Sequence, residues 1–571
     1  MSMTMYDHLK AVREELTGPG GQFEITTVDV RGNPTRAYAN APASLRDVWL
    51  ASAAFADRDY IVYHDERLTY ADAHRIVASV GAWLAENGVE PGDRVAIAMR
   101  NYPEWLLAYW AVTAIGAVVV GVNAWWVGPE LVYGLNDSQP KVMIADQERI
   151  ERAMEHKDEL PPMQIVGVRY SGPLPDNVIP WETLAGHGGD LPEVDIDTDG
   201  DAVIFYTSGT TGHPKGAQQT HRGCVNNLMN LAYAATSYAM VGMRMGKIPV
   251  PAEDEEPPVS ASLLTTPLFH VTANNCVAHG ATLNGGKLVC MYKWDATEAL
   301  KLIERERISA ITGVPVMSRE LVTHPDFDSY DTSSLMSVGG GGAQLQPDLV
   351  GKIDEKVATA RPGTGYGMTE TCGIITSISG DFFVDRPDSA GPAMPNFEVK
   401  VVDAEGNAQP TGEVGELWVR GAPVIRGYLN RPEATAETIT DGWLHTGDIA
   451  RLDEDGFIYI VDRAKDMVLR GGENVYCAEV EAAIYEHPAV AEATVFGVPD
   501  DRLGEEVGAA VFLKAGEQAD ADAIRDVCRA RISAHKVPRY IWFMNEPLPR
   551  NANGKFLKRE LKQELSVGDA A

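Results

Sequence analysis

Residues 201–235 read as a strand-like run, DAVIFYT, a glycine- and hydroxyl-rich loop, YTSGTTGHPKG (Tyr206–Gly216), and a helical run, HRGCVNNLMNLAYAA. No other stretch constrains the chain as tightly. Gly209, Gly212 and Gly216 let backbone N–H groups approach a ligand closely. The hydroxyls of Tyr206, Thr207, Ser208, Thr210 and Thr211 can bond phosphate oxygens, and Lys215 adds a positive charge. A glycine loop between a strand and a helix is where α/β folds bind phosphates. It is not a Walker A loop, because Pro214 precedes the lysine and Gly216 follows it, where that motif needs Gly and then Ser or Thr. A plain Gly/Thr-rich surface turn is the alternative for this segment alone.

Alternation of short strands and helices begins at Leu45. LRDVWLASAAFA is helical in pattern, DYIVYH and ERLTY are strand-like, and ADAHRIVASVGAWLAENG is an amphipathic helix ended by Gly88. GDRVAIAM then reads as a strand and YPEWLLAYWAVTAI as a helix. Such alternation implies parallel sheets layered with helices. Trp105–Val122 is an uncharged run of 18 residues, at the length threshold of a membrane span. Gly116 splits it into a helix-like half and a β-branched half, VVVGV, so a buried helix followed by a buried strand accounts for both.

At 571 residues the chain exceeds the ~250–300 residues that one core supports. We expect an N-terminal extension over 1–42 that packs on the body, a large domain over 43–464, and a small mobile α+β domain over 465–571, with the boundary near Arg463–Asp466. The acidic, proline-rich segment Met240–Ser260 reads as an exposed loop. With 49 Lys and Arg against 81 Asp and Glu, the net charge of −32 repels nucleic acid and anionic membranes and argues against either as a main partner. The six cysteines have neither disulfide-framework nor zinc-site spacing and fit a reducing, cytoplasmic setting. MSMTMYDHLKAVREEL lacks the apolar core of a secretory signal.

Further motifs carry candidate chemistry. Ser337–Ala343 (SVGGGGA) leaves room for a flat ring against bare backbone, or is a turn. Thr364–Glu370 (TGYGMTE) sets an aromatic face beside glycines and offers Glu370 as an oxygen ligand suited to Mg²⁺. His445–Asp448 (HTGD) puts a carboxylate after a tight turn, as a ribose diol requires, or holds a buried or capping Asp. Pro549–Lys555 (PRNANGK) presents Lys555 just after a flexible Asn-Gly pair.

Taken with PLFH (Pro267–His270), GELWVRG (Gly415–Gly421), WLHTGD (Trp443–Asp448) and DRAKDMVLRGGENVY (Asp462–Tyr476), these motifs stand in the order typical of the adenylate-forming enzymes. That superfamily comprises acyl-CoA synthetases, peptide-synthetase adenylation domains and firefly luciferase, and the resemblance runs from about Leu45 to Leu561. It implies an α/β fold with a large N-terminal domain of parallel-rich sheets and a small mobile α+β C-terminal domain. It further implies a two-step reaction: a carboxylate attacks the α-phosphate of ATP to give acyl-adenylate and pyrophosphate, and the thiol of coenzyme A then displaces AMP.

By the same resemblance, Thr207 and Glu370 form the Mg²⁺ site, and Thr207, Ser208, Gly209, Thr210, Thr211, Gly212 and Lys215 hold the β- and γ-phosphates. Adenine rests on Gly341, Gly342, Ala343, Gln344, Gly365 and Tyr366, with Gly367, Met368 and Thr369 completing that nucleotide segment. Asp448 holds the ribose hydroxyls and Arg463 reaches ribose or phosphate. Lys555 bridges the substrate carboxylate and the α-phosphate. Lys465 matches the hinge, and Gly471, Gly472 and Glu473 form the turn brought to the pantetheine channel. His270 looks like the residue beside the acyl entrance, with a core histidine as the alternative. Gln344 and Cys477 stand where similar sequences often have proline, which bears on loop geometry and pocket shape, not on charge chemistry.

The leading expectation is an AMP-forming acyl-CoA ligase. A peptide-synthetase-type carrier, luciferase-like oxidation or a non-catalytic scaffold are the alternatives; a scaffold predicts loss of Lys555, Glu370 or Asp448, and all three are present. The helix Asn226–Tyr238, the PLFH strand, Gly313–Pro315 and Gly339–Gly342 are apolar or small, favouring a medium or long alkyl chain or a bulky aryl-alkanoic or terpenoid acid over acetate or a dicarboxylate. A homodimer is the usual expectation for similar enzymes.

Overall fold

Strands too apolar to show a wet face must lie between layers. Arg94–Ala98 and Val118–Gly121 do so at the middle of an eight-stranded sheet. The computed structural model describes residues 3–571 except 208–212, 251–257, 343–344, 346, 358, 472 and 552–553. The first sheet runs Gly427–Tyr428, Lys215–Thr220, Asp201–Thr207, Val118–Gly121, Arg94–Ala98, Val142–Asp146, Gln164–Val168, Val178–Pro180. A second eight-stranded sheet runs Ile378–Ser379, Arg361–Thr364, Ser337–Gly340, Ala310–Gly313, Ala261–Leu264, Lys287–Cys290, Asp59–Tyr63, Glu66–Thr69. Inner pairs are parallel, and the antiparallel ones lie toward the edges. The parallel-rich layered fold is the expected one.

One apolar core takes side chains from both sheets and from the helices Tyr70–Glu86 and Pro103–Ala114. Every residue of Pro103–Ala114 except Glu104 is buried, Gly116 turns the chain at φ +75°, and Val118–Gly121 follows as a strand. The long uncharged run is therefore a core helix and a core strand, and among the described residues no helix is long and apolar enough to cross a membrane. Trp110 within it is paired inside: its Nε1 donates to Tyr60 Oη at 2.7 Å, which sits 2.8 Å from Thr282 Oγ1.

Contacts group the chain into two units, Met1–Glu398 with Arg420–Leu444, and Val399–Val419 with His445–Ala571. In the first, the capped helix Met5–Thr17 and the hairpin Ile25–Val30/Asn33–Tyr38 precede the sheets. Tyr38 docks on the helix His221–Arg244, its N–H donating to Asn226 Oδ1 at 3.0 Å and its hydroxyl to Asn230 Oδ1 at 2.8 Å.

Four local expectations are corrected. The glycine loop does not join a strand to a helix; it closes an antiparallel hairpin between Asp201–Thr207 and Lys215–Thr220, and the helix starts only at His221, capped by Thr220. KGAQQT has no apolar alternation, and pairing on both sides makes it a strand. Met240–Arg244 is not loop but the end of the helix His221–Arg244, which buried Val241 carries on through Gly242 and which stops before Gly246, where the chain turns at φ +69°. Pro267–His270 is a turn rather than a strand, followed by a π-helix over Thr272–Ala278. HTGD lies inside the strand Trp443–Leu452, where Gly447 alone turns left-handed at φ +69°.

In the second unit Trp443–Leu452 and Phe457–Arg463 pair antiparallel. A further sheet runs Glu473–Val475, Val468–Arg470, Gly504–Leu513, Val490–Asp500, with Tyr540–Met544 added in parallel to Gly504–Leu513. Alternate residues split its faces: Val495 joins the core under the helices Cys477–Tyr485 and Ala521–Arg529, while Phe496 joins Trp542 and Leu561 under Lys558–Glu564.

Asp462 is buried here, accepting N–H bonds from Arg463 at 2.7 Å and from Cys477. Burial pushes its carboxyl up to about 6, against the pull of the Lys558 ammonium and of those N–H groups. The folded state thus holds this proton more tightly than the unfolded chain, whose carboxyl has the ordinary value of 3.8. Ionising it costs stability as pH rises through that window, by about 3 kcal/mol in full. Asp462→Asn is expected to gain on the wild type by up to that amount between about pH 4 and about pH 7 in urea unfolding. A difference that does not change with pH would refute the assignment.

Candidate active site

The hairpin around the glycine loop sets the first part of the site. Thr207 faces Lys215 across the ladder, with Thr207 Oγ1 donating to the Lys215 carbonyl at 3.4 Å. Ser208, Gly209, Thr210, Thr211 and Gly212 lie outside the described residues. Beyond them the loop is stapled from outside: Tyr133 stacks on His213 at 4.3 Å, and its hydroxyl donates to the Pro214 carbonyl at 3.0 Å. The Lys215 ammonium lies 4.8 Å from the centre of the Tyr428 ring, a cation–π distance.

The Tyr428 hydroxyl donates to Glu370 Oε1 at 2.8 Å. Thr207, Lys215, Tyr428 and Glu370 are thereby linked through consecutive contacts. Glu370 is buried in a short 3-10 turn, Thr369–Thr371, and its carbonyl accepts the Ile425 N–H at 3.0 Å. Burial also pushes the Tyr428 phenol well above its ordinary range, so the hydroxyl stays a donor to the carboxylate.

Glycines open the adjoining wall. Among the described residues, a Cβ on Gly341 would meet the Thr272 methyl at 3.4 Å and the Thr312 methyl at 3.9 Å. Gly342 turns at φ +77°; Ala343 and Gln344 lie outside the described residues. Gly365 packs on Ile374, and Tyr366 is half-buried with its carbonyl accepting the N–H groups of Ile375 and Thr376 at 2.7 and 3.0 Å. Gly367 and Met368 pair with Gly373 and Ile374, so closely that a Cβ on Gly367 would overlap the Gly373 carbonyl. His270 is half-buried against Phe269, ring centres 4.6 Å apart, where the chain enters the π-helix.

In the second unit Asp448 and Arg463 are register partners, their Oδ1 and Nε 3.4 Å apart. Glu416 fixes that turn by accepting the Gly447 N–H at 3.0 Å, and Thr446 Oγ1 accepts the Asp448 N–H at 3.1 Å. Lys465 is exposed just after Arg463. Gly471 turns at φ +61° beside exposed Glu473, and Gly472 lies outside the described residues. The Lys555 N–H donates to Asn551 Oδ1 at 3.0 Å, and Arg550 clamps the base of that turn through the Gly554 carbonyl at 2.7 Å and Glu492 at 2.9 Å.

The profile of the AMP-binding enzyme family matches residues 48–429, and that of the AMP-binding enzyme C-terminal domain residues 479–555. The chain belongs to the AMP-binding enzymes. Among the relatives of this AMP-binding enzyme, a feruloyl-CoA synthase of an Amycolatopsis species is 36% identical over 502 residues, spanning 87% of this chain and 94% of that one. A long-chain-fatty-acid–CoA ligase of Bacillus subtilis (strain 168) is 33% identical over 541 residues, spanning 90% and 93%. The crystal structure of the anthranilate CoA ligase AuaEII with anthranoyl-AMP superposes with a TM-score of 0.81 at 25% identity, over 91% of this chain and 96% of that one.

ATP, Mg²⁺ and coenzyme A are the cofactors of this class of AMP-binding enzyme. The donors present suit them: a buried carboxylate and a threonine hydroxyl are hard oxygens fit for Mg²⁺, and bare glycine backbone leaves space for a flat ring. Tyr428, Glu416 and Arg550 escaped the sequence reading. Tyr428 meets Glu370 across 58 positions, and nothing local signals it. Arg550 had a signal, because it stands inside PRNANGK.

The glycines divide into two kinds, and alanine separates them. Gly367→Ala is expected to destabilise by more than about 3 kcal/mol, because the backbone must move. Gly341→Ala is expected to shift stability by less than about 1 kcal/mol, since its Cβ meets ordinary contacts. Thermal unfolding of the two variants checks this, and equal shifts would contradict it.

Proposed function

We propose that this chain, an AMP-forming acid–thiol ligase, activates a hydrophobic carboxylic acid, aryl-alkanoic or medium- to long-chain, and hands the acyl group to coenzyme A. In the first step a carboxylate oxygen attacks the α-phosphorus of ATP, the bond to the β-phosphate oxygen breaks, and pyrophosphate leaves. In the second the coenzyme A sulfur attacks the acyl carbon and AMP leaves. Step one brings two anions together, so cations must offset the charge that develops. Lys555 takes that role at the carboxylate and α-phosphate. Lys215 steadies the β- and γ-phosphates with the hydroxyls of the glycine loop, and Thr207 and Glu370 would hold Mg²⁺. Asp448 takes the ribose hydroxyls with Arg463 beside it, and His270 borders the acyl entrance.

The observation that carries this reading is the linked set Thr207, Lys215, Tyr428 and Glu370, a cation and a buried carboxylate held on either side of one phenol. A hydrophobic acid is supported by the absence of charged residues from Asn226–Tyr238, Pro267–His270, Gly313–Pro315 and Gly339–Gly342. Relatives that bear the names feruloyl-CoA synthase and long-chain-fatty-acid–CoA ligase support the same class. The segment 465–571 acts as the mobile domain, Lys465 as its hinge, and the Gly471–Glu473 turn serves the thioester step. Six free cysteines fit a cytoplasmic setting, and a homodimer is carried over from similar enzymes.

Lys555→Ala is expected to abolish pyrophosphate release yet leave thioester formation from supplied acyl-adenylate largely intact; loss of both half-reactions would sink that role. For the acid, AMP release is read with medium- and long-chain fatty acids, aryl-alkanoic and terpenoid acids, acetate and a dicarboxylic acid. Turnover should concentrate on the bulky apolar acids, and strict preference for acetate or the dicarboxylate would overturn the pocket reading.

A further inference from the structure

The turn that carries Glu370 is gripped by two buried carboxamides from different elements. Gln219, on the strand Lys215–Thr220 that leaves the glycine loop, donates from Nε2 to the Thr369 carbonyl at 2.8 Å. Asn275, in the π-helix Thr272–Ala278 that follows His270, donates from Nδ2 to the Cys372 carbonyl at 2.9 Å. The two amides also meet, Asn275 Nδ2 donating to Gln219 Oε1 at 2.8 Å. The bonds thus close on both flanks of Glu370, one residue before it and two after. Their orientation is determinate: both backbone carbonyls only accept, so each amide must turn its nitrogen to the turn, leaving the Gln219 oxygen for Asn275.

Support continues behind them. Asn274 Nδ2 donates to Asn275 Oδ1 at 2.8 Å, and His279 Nε2 stands 2.7 Å from the Tyr109 hydroxyl and 3.4 Å from Asn274 Nδ2. Asn227 Oδ1 accepts the Ile374 N–H at 2.9 Å, steadying the strand that leaves the turn. Gln219, Asn227, Asn274, Asn275 and His279 are all fully buried. Amides so placed cost free energy unless bonded, and an apolar residue would fill the same space without that cost. The π-helix bears on this, because such helices are rare and its wide turn brings adjacent Asn274 and Asn275 into one network.

We infer that Gln219 and Asn275 are positioning residues for adenylation, holding the Glu370 carboxylate in register with the phosphate-loop strand so that it can take a divalent cation with ATP. This rests on the proposed reading of Glu370 as a metal ligand. The role is not charge: neither amide titrates, and neither is placed on substrate. It is geometry: the turn's own bonds, from Thr371 Oγ1 to the Met368 and Gly373 carbonyls and from the Cys372 N–H to the Thr369 carbonyl, shape it from within, whereas the two amides, the Tyr428 hydroxyl and the Ile425 N–H tie it to neighbouring elements.

The test uses the full chain and Mn²⁺ as a paramagnetic stand-in for Mg²⁺, with its binding in the presence of saturating ATP read by electron paramagnetic resonance. Gln219→Met keeps the length of the side chain and the Asn275 bond to Cys372, and Gln219→Met/Asn275→Leu removes both polar partners together. The single variant is expected to weaken Mn²⁺ binding severalfold and the double variant about tenfold or more, with metal-free ATP affinity and the thermal midpoint little changed. The Mg²⁺ concentration for half-maximal pyrophosphate release should rise by the same factors, and thioester formation from supplied acyl-adenylate should not move. A folded variant with wild-type Mn²⁺ affinity overturns the inference, as does a lowered midpoint with unchanged affinity, the mark of a purely structural role. If the double variant does not fold, Gln219→Met alone decides. Glu370→Gln is the control on the parent reading: wild-type Mn²⁺ binding in that variant overturns Glu370 as a ligand, whatever the amide variants do.

Discussion

Pairing of Lys215–Thr220 with two antiparallel neighbours fixes most of the first unit's site. On one side it meets Asp201–Thr207, with Thr207 opposite Lys215; on the other it meets Gly427–Tyr428, with Ala217 opposite Tyr428. Side chains on a strand alternate faces, so a slip of one residue would turn Lys215 away from the Tyr428 ring and Gln219 away from Thr369. Gly216 permits the register, because a Cβ there would sit 2.8 Å from the Ile204 side chain. Asp201–Thr207 in turn pairs with Val118–Gly121 at the buried centre of the sheet. The loop's two ends therefore rest on strands tied into the buried sheet, as a site that must hold its geometry requires.

The polar supports around Glu370 differ from those around the second unit's turns, and burial goes with the difference. Around Glu370 the supports are neutral amides and a phenol, fully enclosed, where a second charge would face a large desolvation cost. In the second unit the supports are ion pairs whose basic partners water still reaches: Arg470 with Glu506, Lys536 with Glu479, and Arg550 with Glu492. Such pairs add little stability singly, but bidentate and hydrogen-bonded ones fix direction, as Arg470 does with both oxygens of Glu506 at 2.7 and 2.9 Å.

What the sequence revealed and what it hid follow from the range of the interactions. Local rules carry the helices Leu45–Ala51 and Tyr70–Glu86, each opened by a capping box (Ser44 with Asp47, Thr69 with Asp72), and the helix–Gly116–strand division of the longest apolar run. The motif residues Glu370, Asp448, Arg463 and Lys555 were visible as residue types at motif positions, and the Asp448–Arg463 pairing emerges from strand register. The strand nature of KGAQQT was hidden because tertiary pairing, not its own pattern, makes it a strand. The π-helix has no sequence signature, and the contacts of Tyr428 with Glu370 and of Gln219 with Thr369 span 58 and 150 positions. Propensity and spacing reach a few residues along the chain. Those contacts lie beyond them.

On the proposed reading, the lysine turn has to meet two opposed demands. A group that must neutralise charge in the first step and then withdraw needs a stiff mounting and a compliant attachment. Its mounting is stiff. Leu557 N–H bonds to Pro549 O at 2.9 Å, the Arg550 guanidinium covers the Phe556 ring at 4.0 Å, and Glu492 takes both Arg550 and the Leu548 N–H, at 2.9 and 2.7 Å. The attachment is of another kind: Arg463, Ala464 and Lys465 are exposed, and the backbone there folds through turn bonds from Asp466 and Met467 to the Arg463 carbonyl. Bonds of that sort reform in a new turn at small cost, whereas the Arg550–Glu492 clamp does not. On the proposed reading, a change of backbone angle at Lys465 carries the whole lysine mounting as one piece, and the precision needed at Lys555 survives the motion that removes it.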